Sequence, residues 1–196
     1  MPTIDFRLVT TADASTIAAI YAPYVRDTIV SFETEAPDAM EMAARIERIA
    51  PRHPWLVAEH DSDLLGYAYA CEHRSRLAYR WSADVAVYLD PSVQRHGIGR
   101  ALYERLFALM RVLGYVNAFA GIALPNAASV GLHEAFGFTS IGVYRNVGYK
   151  QGRWSDVGWW QRALVDPPID PREPLMIRQL DPDVIRMSLQ APMISS

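Results

Sequence analysis

Apolar and polar positions alternate in short blocks that predict strands and helices in quick succession. Residues 5–9 alternate with period two, which is typical of a short strand. In the following stretch, TTADASTIAAIYAPYV, apolar residues recur at helical spacing. Thr11 or Asp13 is the predicted N-cap of this helix. Pro23 is expected to kink or end it, because proline lacks the N–H that a helix interior needs.

The rest of the chain continues the pattern up to about residue 164. Apolar spacing predicts a second helix from Pro37 to about Ala50. Two strands, WLVAEH and LLGYAYACEH, follow around a DSD turn. The valine-rich strand WSADVAVYL then leads through a glycine turn into the helix RALYERLFALMRVLG. The last predicted elements are the strand VNAFAGIAL, the helix ASVGLHEAF and the strands FTSIGVY and DVGWWQRAL.

The order of these elements indicates the fold class. Strands outnumber helices and cluster on both sides of one β-α-β stretch, so we expect an α+β domain with a mixed sheet and not a doubly wound parallel sheet. Six of the 13 prolines fall after residue 164. We therefore predict a domain over residues 1–164 and a proline-rich tail over 165–196. The tail lies on the body, lies on a neighbouring subunit or stays mobile.

Composition narrows the classes of function. The chain has 196 residues, of which 51% are hydrophobic and 21% charged, so it can bury a core. Its net charge of −3 argues against a nucleic-acid partner held by general electrostatics. The single cysteine, Cys71, excludes an intrachain disulfide and fits a reducing compartment. We see no signal-peptide pattern and no apolar run near the ~20 residues that span a bilayer. The expectation is a cytoplasmic protein with no membrane partner.

A glycine turn after the fourth predicted strand is the first candidate for chemistry. Gly97 and Gly99 open a helix, whose first N–H groups and dipole favour an anion such as a phosphate. Arg95 and Arg100 would add charge-assisted hydrogen bonds. A dinucleotide fingerprint is disfavoured because Leu102 stands where its third glycine would be. From these residues alone, a phosphate site and a plain strand-to-helix turn both stay open.

Two motifs resemble those of the GCN5-related N-acetyltransferases. The run Gln94-Arg95-His96-Gly97-Ile98-Gly99 is similar to the turn with which that superfamily holds the pyrophosphate of acetyl-CoA. A second superfamily motif is matched, with histidine in place of the usual tyrosine, by Asn126, Ser129, His133, Gly137 and Phe138.

Longer segments resemble one branch of this superfamily. Over about residues 4–164, segments such as SFETEAP, AYRW, VYLDPSVQRHGIG and GYKQGRWSDVGWWQR are similar to the phosphinothricin N-acetyltransferases, which share the histidine replacement. The resemblance implies a GCN5-related acetyltransferase fold, with a mixed, mostly antiparallel, splayed sheet flanked by helices. It also implies a bulge in the strand before the turn, acetyl-CoA in a split after Leu89, and a homodimer. The proline-rich tail and the pair Trp159-Trp160 offer surfaces for dimerisation.

The resemblance assigns residues to the acetyl-CoA site, and no metal is expected. The amides of Val87 and Leu89, on either side of Tyr88, would hold the acetyl carbonyl and the pantetheine as an oxyanion hole. Asn126 would cap its helix, contact the pantetheine, or both. The remaining predicted cofactor residues are Ser129 and the turn residues Gln94, Arg95, His96, Gly97, Ile98, Gly99 and Arg100.

Acetyl transfer to an amine needs a base for the ammonium proton. Asp84 stands where the branch carries a glutamate as this base; being shorter, it calls for a bridging water, and otherwise it is a surface carboxylate. His133 would be the general acid or a partner to Asp84, and otherwise a packed side chain. We expect direct attack in a ternary complex. Cys71 is not an expected nucleophile, because neighbouring Glu72 raises its pKa.

The acceptor is expected to be a small amino acid with an anionic group, such as phosphinothricin or methionine sulfoximine. The predicted acceptor residues are Phe32, Glu35, Arg74, Arg76, Tyr79 and Lys150. Glu33 would repel an anionic substrate or hold an arginine in place. Two alternatives stay open: another small amine such as a polyamine, and a non-catalytic acyl-CoA-binding module. The presence of both Asp84 and His133 favours an enzyme.

Overall fold

The computed structural model describes residues 4–93 and 96–190. Its strands are β1 Asp5–Leu8, β2 Trp55–His60, β3 Asp63–Glu72, β4 Ser82–Leu89, β5 Asn117–Leu124, β6 Thr139–Lys150 and β7 Arg153–Ala163. Its α-helices are α1 Ala14–Arg26, α2 Ala39–Ile49, α3 Ile98–Leu113, α4 Ala127–Ala135 and α5 Pro182–Leu189. Short 3₁₀ turns occupy Thr11–Asp13, Leu77–Tyr79, Pro91–Val93 and Ile177–Gln179.

The strands form one sheet in the order β1-β2-β3-β4-β5-β7-β6. Every neighbouring pair is antiparallel except β4 and β5, which run parallel around the crossover helix α3. The last strand, β7, returns between β5 and β6, so β6 lies at the edge. The predicted α+β class with a mixed, mostly antiparallel sheet is confirmed.

The parallel pair β4–β5 is short. Its register covers only Ser82, Ala83 and Asp84 opposite residues 117–119, after which the two strands separate. The split therefore begins at Asp84, and the prediction that it lies after Leu89 was wrong. The expected bulge is also absent from the pairing of β4, which stays in regular register with β3 from Ala83 to Leu89. The strands part because β4 remains paired to β3 while β5 remains paired to β7.

Two apolar layers cover the two faces of the sheet. On one face, Ala83 and Val85 of β4 pack in a core with α3 residues such as Leu102 and Phe107. On the other, Tyr67 of β3 packs in a core with residues of α1 and α2. Because side chains alternate along a strand, the even-numbered residues of β4 face α1 and α2, and the odd-numbered ones face α3.

Two local predictions differ from the structure. Pro23 lies inside α1 and does not end it; the helix runs one turn further to Arg26. Proline at this position costs the helix one hydrogen bond, the one to the carbonyl of Ala19. The final two strands are longer than predicted and form a hairpin whose turn residues Gln151 and Gly152 both have positive φ, 51° and 76°. This geometry suits the right-handed twist of a tight hairpin.

Part of the proline-rich segment lies on the body. The amide of Leu175 donates to the carbonyl of Leu113, and that of Ile177 donates to the carbonyl of Pro51. Helix α5, which the apolar spacing did not reveal, packs against α3, and Arg105 Nε donates to the carbonyl of Leu189 at 2.7 Å. None of the helices in residues 4–93 and 96–190 has the length and apolar character needed to cross a membrane.

The packing of α5 predicts a stability difference between two of its residues. Ile185 is partly buried against the core under α3, whereas Met187 points outward. Ile185→Ala should lower the free energy of unfolding by about 1–2 kcal/mol, less than a fully buried isoleucine would. Met187→Ala, the control on the same helix, should change it by less than about 0.5 kcal/mol. Urea unfolding of both variants measures this, and equal effects would mean that α5 does not pack in solution.

Candidate active site

Backbone groups of β4 line the split between β4 and β5. The carbonyl of Trp81 accepts hydrogen bonds from the first amides of the neighbouring strand segment, at 2.8 and 3.2 Å, so peptide groups at odd positions face β5. Beyond Asp84 no strand meets them. The peptide groups of Val85, Val87 and Leu89 therefore point into the split, as expected for the two predicted oxyanion-hole amides.

Tyrosines hold the far end of β4. The ring of Tyr88 turns away from the α3 face and meets the rings of Tyr21 and Tyr24 edge to face, with centroids 4.9 and 5.1 Å apart. The hydroxyl of Tyr24 donates to the carbonyl of Leu89 at 2.6 Å. The carbonyl of Leu89 is therefore occupied, and the ring of Tyr88 is held between Tyr21 and Tyr24.

The glycine turn enters α3 through a residue in a left-handed conformation. Gly97 is the N-cap of α3 with φ of +80°, a left-handed conformation that favours glycine, and no atom would lie within 4 Å of a Cβ added there. His96 is exposed, whereas the side chain of Ile98 is buried in the core, so Ile98 can offer only its amide. Gln94 and Arg95 lie outside the described residues.

The start of α3 packs against the end of β4 and against α4. A Cβ at Gly99 would lie 3.6 Å from Leu89 and 3.9 Å from Leu132 of α4, in ordinary contact. The guanidinium of Arg100 lies over the ring of Phe136, 5.4 Å from its centroid. These contacts bring the first turn of α3, the end of β4 and α4 to one end of the split.

A slot of about 60 Å³ lies between the separating strands β4 and β5. The motif residues Asn126, Ser129 and His133 line one side of it. Asn126 caps α4, its Oδ1 accepting from the amide of Ser129 at 3.1 Å. His133 Nδ1 lies 2.7 Å from the carbonyl of Ser129 and therefore donates to it, while Nε2 lies 3.0 Å from the hydroxyl of Tyr103. Burial lowers the pKa of His133, against the raising effect of the Ser129 bond. The ring is neutral, with both nitrogens engaged.

The hydrogen-bond partner of Asp84 is a residue that the sequence reasoning did not select. His73 Nδ1 lies 2.6 Å from Asp84 Oδ1. Burial raises the pKa of Asp84, and the hydrogen bond from His73 opposes that rise. Asp84 faces α1 and α2, whereas His133 packs with Tyr103 on the α3 side, so the two predicted catalytic residues form no direct pair.

Three predicted acceptor residues lie together beside His73. The guanidinium of Arg74 lies over the ring of Trp159, 5.4 Å from its centroid, and Tyr79 meets His73 edge to face at 6.1 Å. Arg74, Arg76 and Tyr79 line a crevice of about 580 Å³ between the β3–β4 connection and the C-terminal segment. Its other charged lining residues are Arg52, Glu72, Arg80, Glu173 and Arg178.

The other three predicted acceptor residues do not line this crevice. Lys150 is buried, and its Nζ donates to the carbonyls of Val25 and Ser31 at 2.6 Å each, so it anchors the α1–α2 loop. The ring of Phe32 lies so close to Gly148 that a Cβ there would meet it at 2.1 Å. Glu35 is exposed on the same loop.

Glu33 holds an arginine, one of the two alternatives considered for it. Both of its oxygens accept from Arg45, at 2.7 and 2.8 Å, and the hydroxyl of Tyr21 adds a third hydrogen bond. Arg45 lowers the pKa of Glu33, against a smaller raising effect of burial. This carboxylate is therefore neutralised by its partner and does not repel an anion.

Cys71 is not activated. Burial, and then the charges of Asp84 and Glu72, raise the pKa of its thiol to about 12. The expected effect of Glu72 is present but is the smallest of the three. Among the described residues, no group of three His, Cys, Asp or Glu side chains is placed to hold a metal ion.

Comparisons with known proteins agree with this architecture. Residues 6–159 match the sequence profile described as the Acetyltransferase (GNAT) domain. The chain is 39% identical over 177 residues to phosphinothricin N-acetyltransferase of Streptomyces viridochromogenes, covering 90% of this chain and 96% of that protein. It is 35% identical over 162 residues to L-methionine sulfoximine/L-methionine sulfone acetyltransferase of Salmonella typhimurium, covering 82% and 95%.

A solved structure shows the same likeness in three dimensions. The crystal structure of a GNAT superfamily phosphinothricin acetyltransferase from Sinorhizobium meliloti, in complex with AcCoA, matches with a TM-score of 0.83 and 33% identity. The match covers 91% of this chain and 98% of that one. Profile, sequence and structure agree, and the chain belongs to the GNAT acetyltransferase family.

Proposed function

We propose that this chain is an acetyl-CoA-dependent N-acetyltransferase acting on a small amino acid with an anionic group, such as phosphinothricin or methionine sulfoximine. The observation that carries the proposal is that the sheet opens at Asp84, whose hydrogen-bond partner His73 is followed in the chain by Arg74, which lines a crevice together with Arg76. The relatives named above, which bear these two activities in their names, support the choice of substrate.

The residues along the split fit acetyl-CoA. Bound there, it supplies the acetyl group as a reactive thioester. The unpaired amides of Val87 and Leu89 suit a carbonyl oxygen, because backbone donors fixed in place stabilise developing negative charge without reorganising. The left-handed turn at Gly97 leaves room for a phosphate against the first amides of α3. Asn126 and His133 line the slot between the two.

Some residues around the acceptor bind it, and others take part in proton transfer. Arg74 and Arg76 bind the anionic end of the acceptor, since guanidinium groups match carboxylate and phosphinate oxygens. The amine then reaches the hydrogen-bonded pair of His73 and Asp84 at the start of the split, which serves proton removal. His133, neutral and bonded at both nitrogens, has no spare proton for the thiolate, and its role as acid stays a prediction. A non-catalytic acyl-CoA-binding module would have no use for the Asp84 arrangement.

Three broader features belong to the same proposal. The catalytic domain comprises residues 1–164, and residues 165–196 form a C-terminal extension. The protein works in the cytoplasm, where its single cysteine would stay reduced. It forms a homodimer, although not through the pair Trp159-Trp160: Trp160 is buried in the core, and Trp159 covers Gly121 in the site. The proline-rich tail stays a predicted surface for dimerisation.

Replacing Gly97 should weaken acetyl-CoA binding. In Gly97→Val the side chain occupies the space open to the pyrophosphate, and the dissociation constant should rise at least tenfold, about 1.4 kcal/mol. Gly152→Val is the matched control, because Gly152 has nearly the same φ, +76° against +80°, but lies in the β6–β7 turn. Calorimetry should show a loss for Gly97→Val alone; equal affinities would remove the turn from the cofactor site.

Replacing Arg74 should weaken the acceptor and spare the cofactor. Arg74→Gln removes a charge-assisted contact, so KM for phosphinothricin should rise at least tenfold, about 1.4 kcal/mol, with KM for acetyl-CoA unchanged. Arg186→Gln makes the same charge change on α5, where Arg186 pairs with Asp183 at 2.8 Å, and should leave both constants unaltered. A similar rise in both variants would indicate a general charge effect and not a binding contact.

The edge hairpin predicts the dimer surface. Five apolar side chains on β6 and β7 are at least half exposed: Ile141, Tyr144, Val147, Tyr149 and Trp154. Patches of this kind usually mark an interface. Light scattering should give about twice the chain mass of 22.0 kDa. Trp154→Glu should shift the mass toward the monomer and Met187→Glu, at an exposed apolar position on α5, should not; a monomeric wild-type chain would contradict the proposal.

A further inference from the structure

The pair His73–Asp84 is built by the sheet itself. Asp84 lies opposite Cys71 on β3 and opposite Phe119 on β5, and it is the last residue of the parallel pairing. His73 follows Cys71 by two residues, so its side chain emerges on the same face as that of Asp84. The two side chains are diagonal neighbours, and Nδ1 meets Oδ1 at 2.6 Å.

Aromatic side chains fix the orientation of the imidazole. Its plane stacks on Phe119, with ring centroids 4.1 Å apart and an interplanar angle of 13°. Trp159 and Tyr79 meet it edge to face, each at 6.1 Å. The side chain of His73 is only 11% exposed, against 27% for Asp84. The ring is therefore held in one orientation at the start of the split.

This orientation leaves one nitrogen of His73 available. An ionised carboxylate only accepts hydrogen bonds, so Nδ1 carries the proton and donates it to Asp84, and the lone pair of a neutral ring stays on Nε2. Among the described residues, none hydrogen-bonds to Nε2. Asp84, by contrast, already has one oxygen committed to His73.

We propose that His73 Nε2 is the base that takes the proton from the acceptor's ammonium group, and that Asp84 is a positioning residue that holds the ring and stabilises its protonated form. This inference rests on the proposed function and assigns the proton route within it. It also accounts for the short carboxylate: the imidazole occupies the gap that the sequence analysis assigned to a bridging water.

The proton and bond changes balance along this route. His73 Nε2 takes one proton from the acceptor's –NH₃⁺ and becomes an imidazolium against Asp84. The freed lone pair of the amine forms the C–N bond at the thioester carbonyl carbon, and the C–S bond breaks. The nitrogen loses its second proton to the departing thiolate, which leaves as the free thiol. His73 then releases its proton to solvent, so one proton is produced for each amide formed.

The groups around His73 allow its ring to accept a proton from the acceptor. Asp84 on β4 is the nearest charge, at 2.6 Å, and stabilises the imidazolium. Cys71 on β3 stays a neutral thiol, because burial raises its pKa to about 12. Tyr79 and Arg74 lie on the β3–β4 connection, the latter bonded to the carbonyl of His73 at 2.7 Å. Phe119 and Trp159, from β5 and β7, carry no charge.

The test compares variants of full-length protein by steady-state kinetics with acetyl-CoA and phosphinothricin across pH. His73→Gln keeps a polar group but removes the base, so it should lower kcat/KM roughly 10²–10⁴-fold. The fall of kcat/KM at acidic pH, the acidic limb of the pH profile, should disappear. The affinity for acetyl-CoA should stay unchanged. Added imidazole should restore part of the activity of His73→Ala. Cys71→Ala, two residues away on the same face, is the control and should retain wild-type kcat/KM.

Asp84→Asn separates the two roles. Without the carboxylate the imidazolium is less stable, so the acidic limb of the pH profile should move to lower pH while persisting. Were Asp84 itself the base, this variant would lose the limb. Wild-type-like kcat/KM in His73→Gln, or loss of the limb in Asp84→Asn with the limb intact in His73→Gln, would overturn the proposal.

A spectroscopic readout does not depend on turnover. In ¹⁵N NMR of the histidine rings, the resonances lost in His73→Gln should show that Nδ1 carries the proton of the neutral ring, and Asp84→Asn should change their chemical shifts. The opposite tautomer would overturn the proposal. A wild-type protein that binds acetyl-CoA but acetylates no amino acid would instead refute the proposed function, and the role of His73 as base would fall with it.

Discussion

The parallel pairing of β4 with β5 stops after three residue pairs, and the functional part of the molecule depends on that stop. Each strand keeps its other neighbour along its length, so the backbone groups facing the opening lack a strand partner. Unpaired backbone donors are costly when buried and useful when a ligand satisfies them. One interruption in the ladder thus creates both a cleft and donors to line it.

The rest of the fold places charged groups around this opening and gives them hydrogen-bond partners, which offset the free-energy cost of burying a charge. Lys150 and Glu33 both have hydrogen-bond partners nearby. The lysine donates to carbonyls at the start of the α1–α2 connection, and the glutamate accepts from Arg45. These buried or half-buried charges are matched and hold the loop against α2 and β6. Arg74, by contrast, stacks on Trp159 and keeps its charge directed at the crevice. Arg74 also donates a hydrogen bond to the carbonyl of His73, so it differs from Lys150 in lining the crevice and not in lacking a partner.

The two faces of the sheet carry different parts of the chemistry. On the α3 face, His133 is buried and bonded to Tyr103 and Ser129, so it shapes the slot that suits a thioester. On the other face, His73 and Asp84 form a pair with an available nitrogen. At the split, groups on the two faces approach the same space, because the β4–β5 pairing that separates the faces ends at Asp84.

The sequence by itself determined the order of the elements, the α+β class, the glycine turn and the motif around Asn126, because these depend on local spacing and on backbone requirements within a few residues. Helix α5 escaped detection because its apolar face is short, although Asp181 and Pro182 are ordinary start signals. The partner of Asp84 also escaped detection, since His73 is 11 residues away and adjoins it only through strand register. Tertiary structure alone decided which charges are paired, because hydrogen bonding between distant residues depends on the register and packing of the whole sheet.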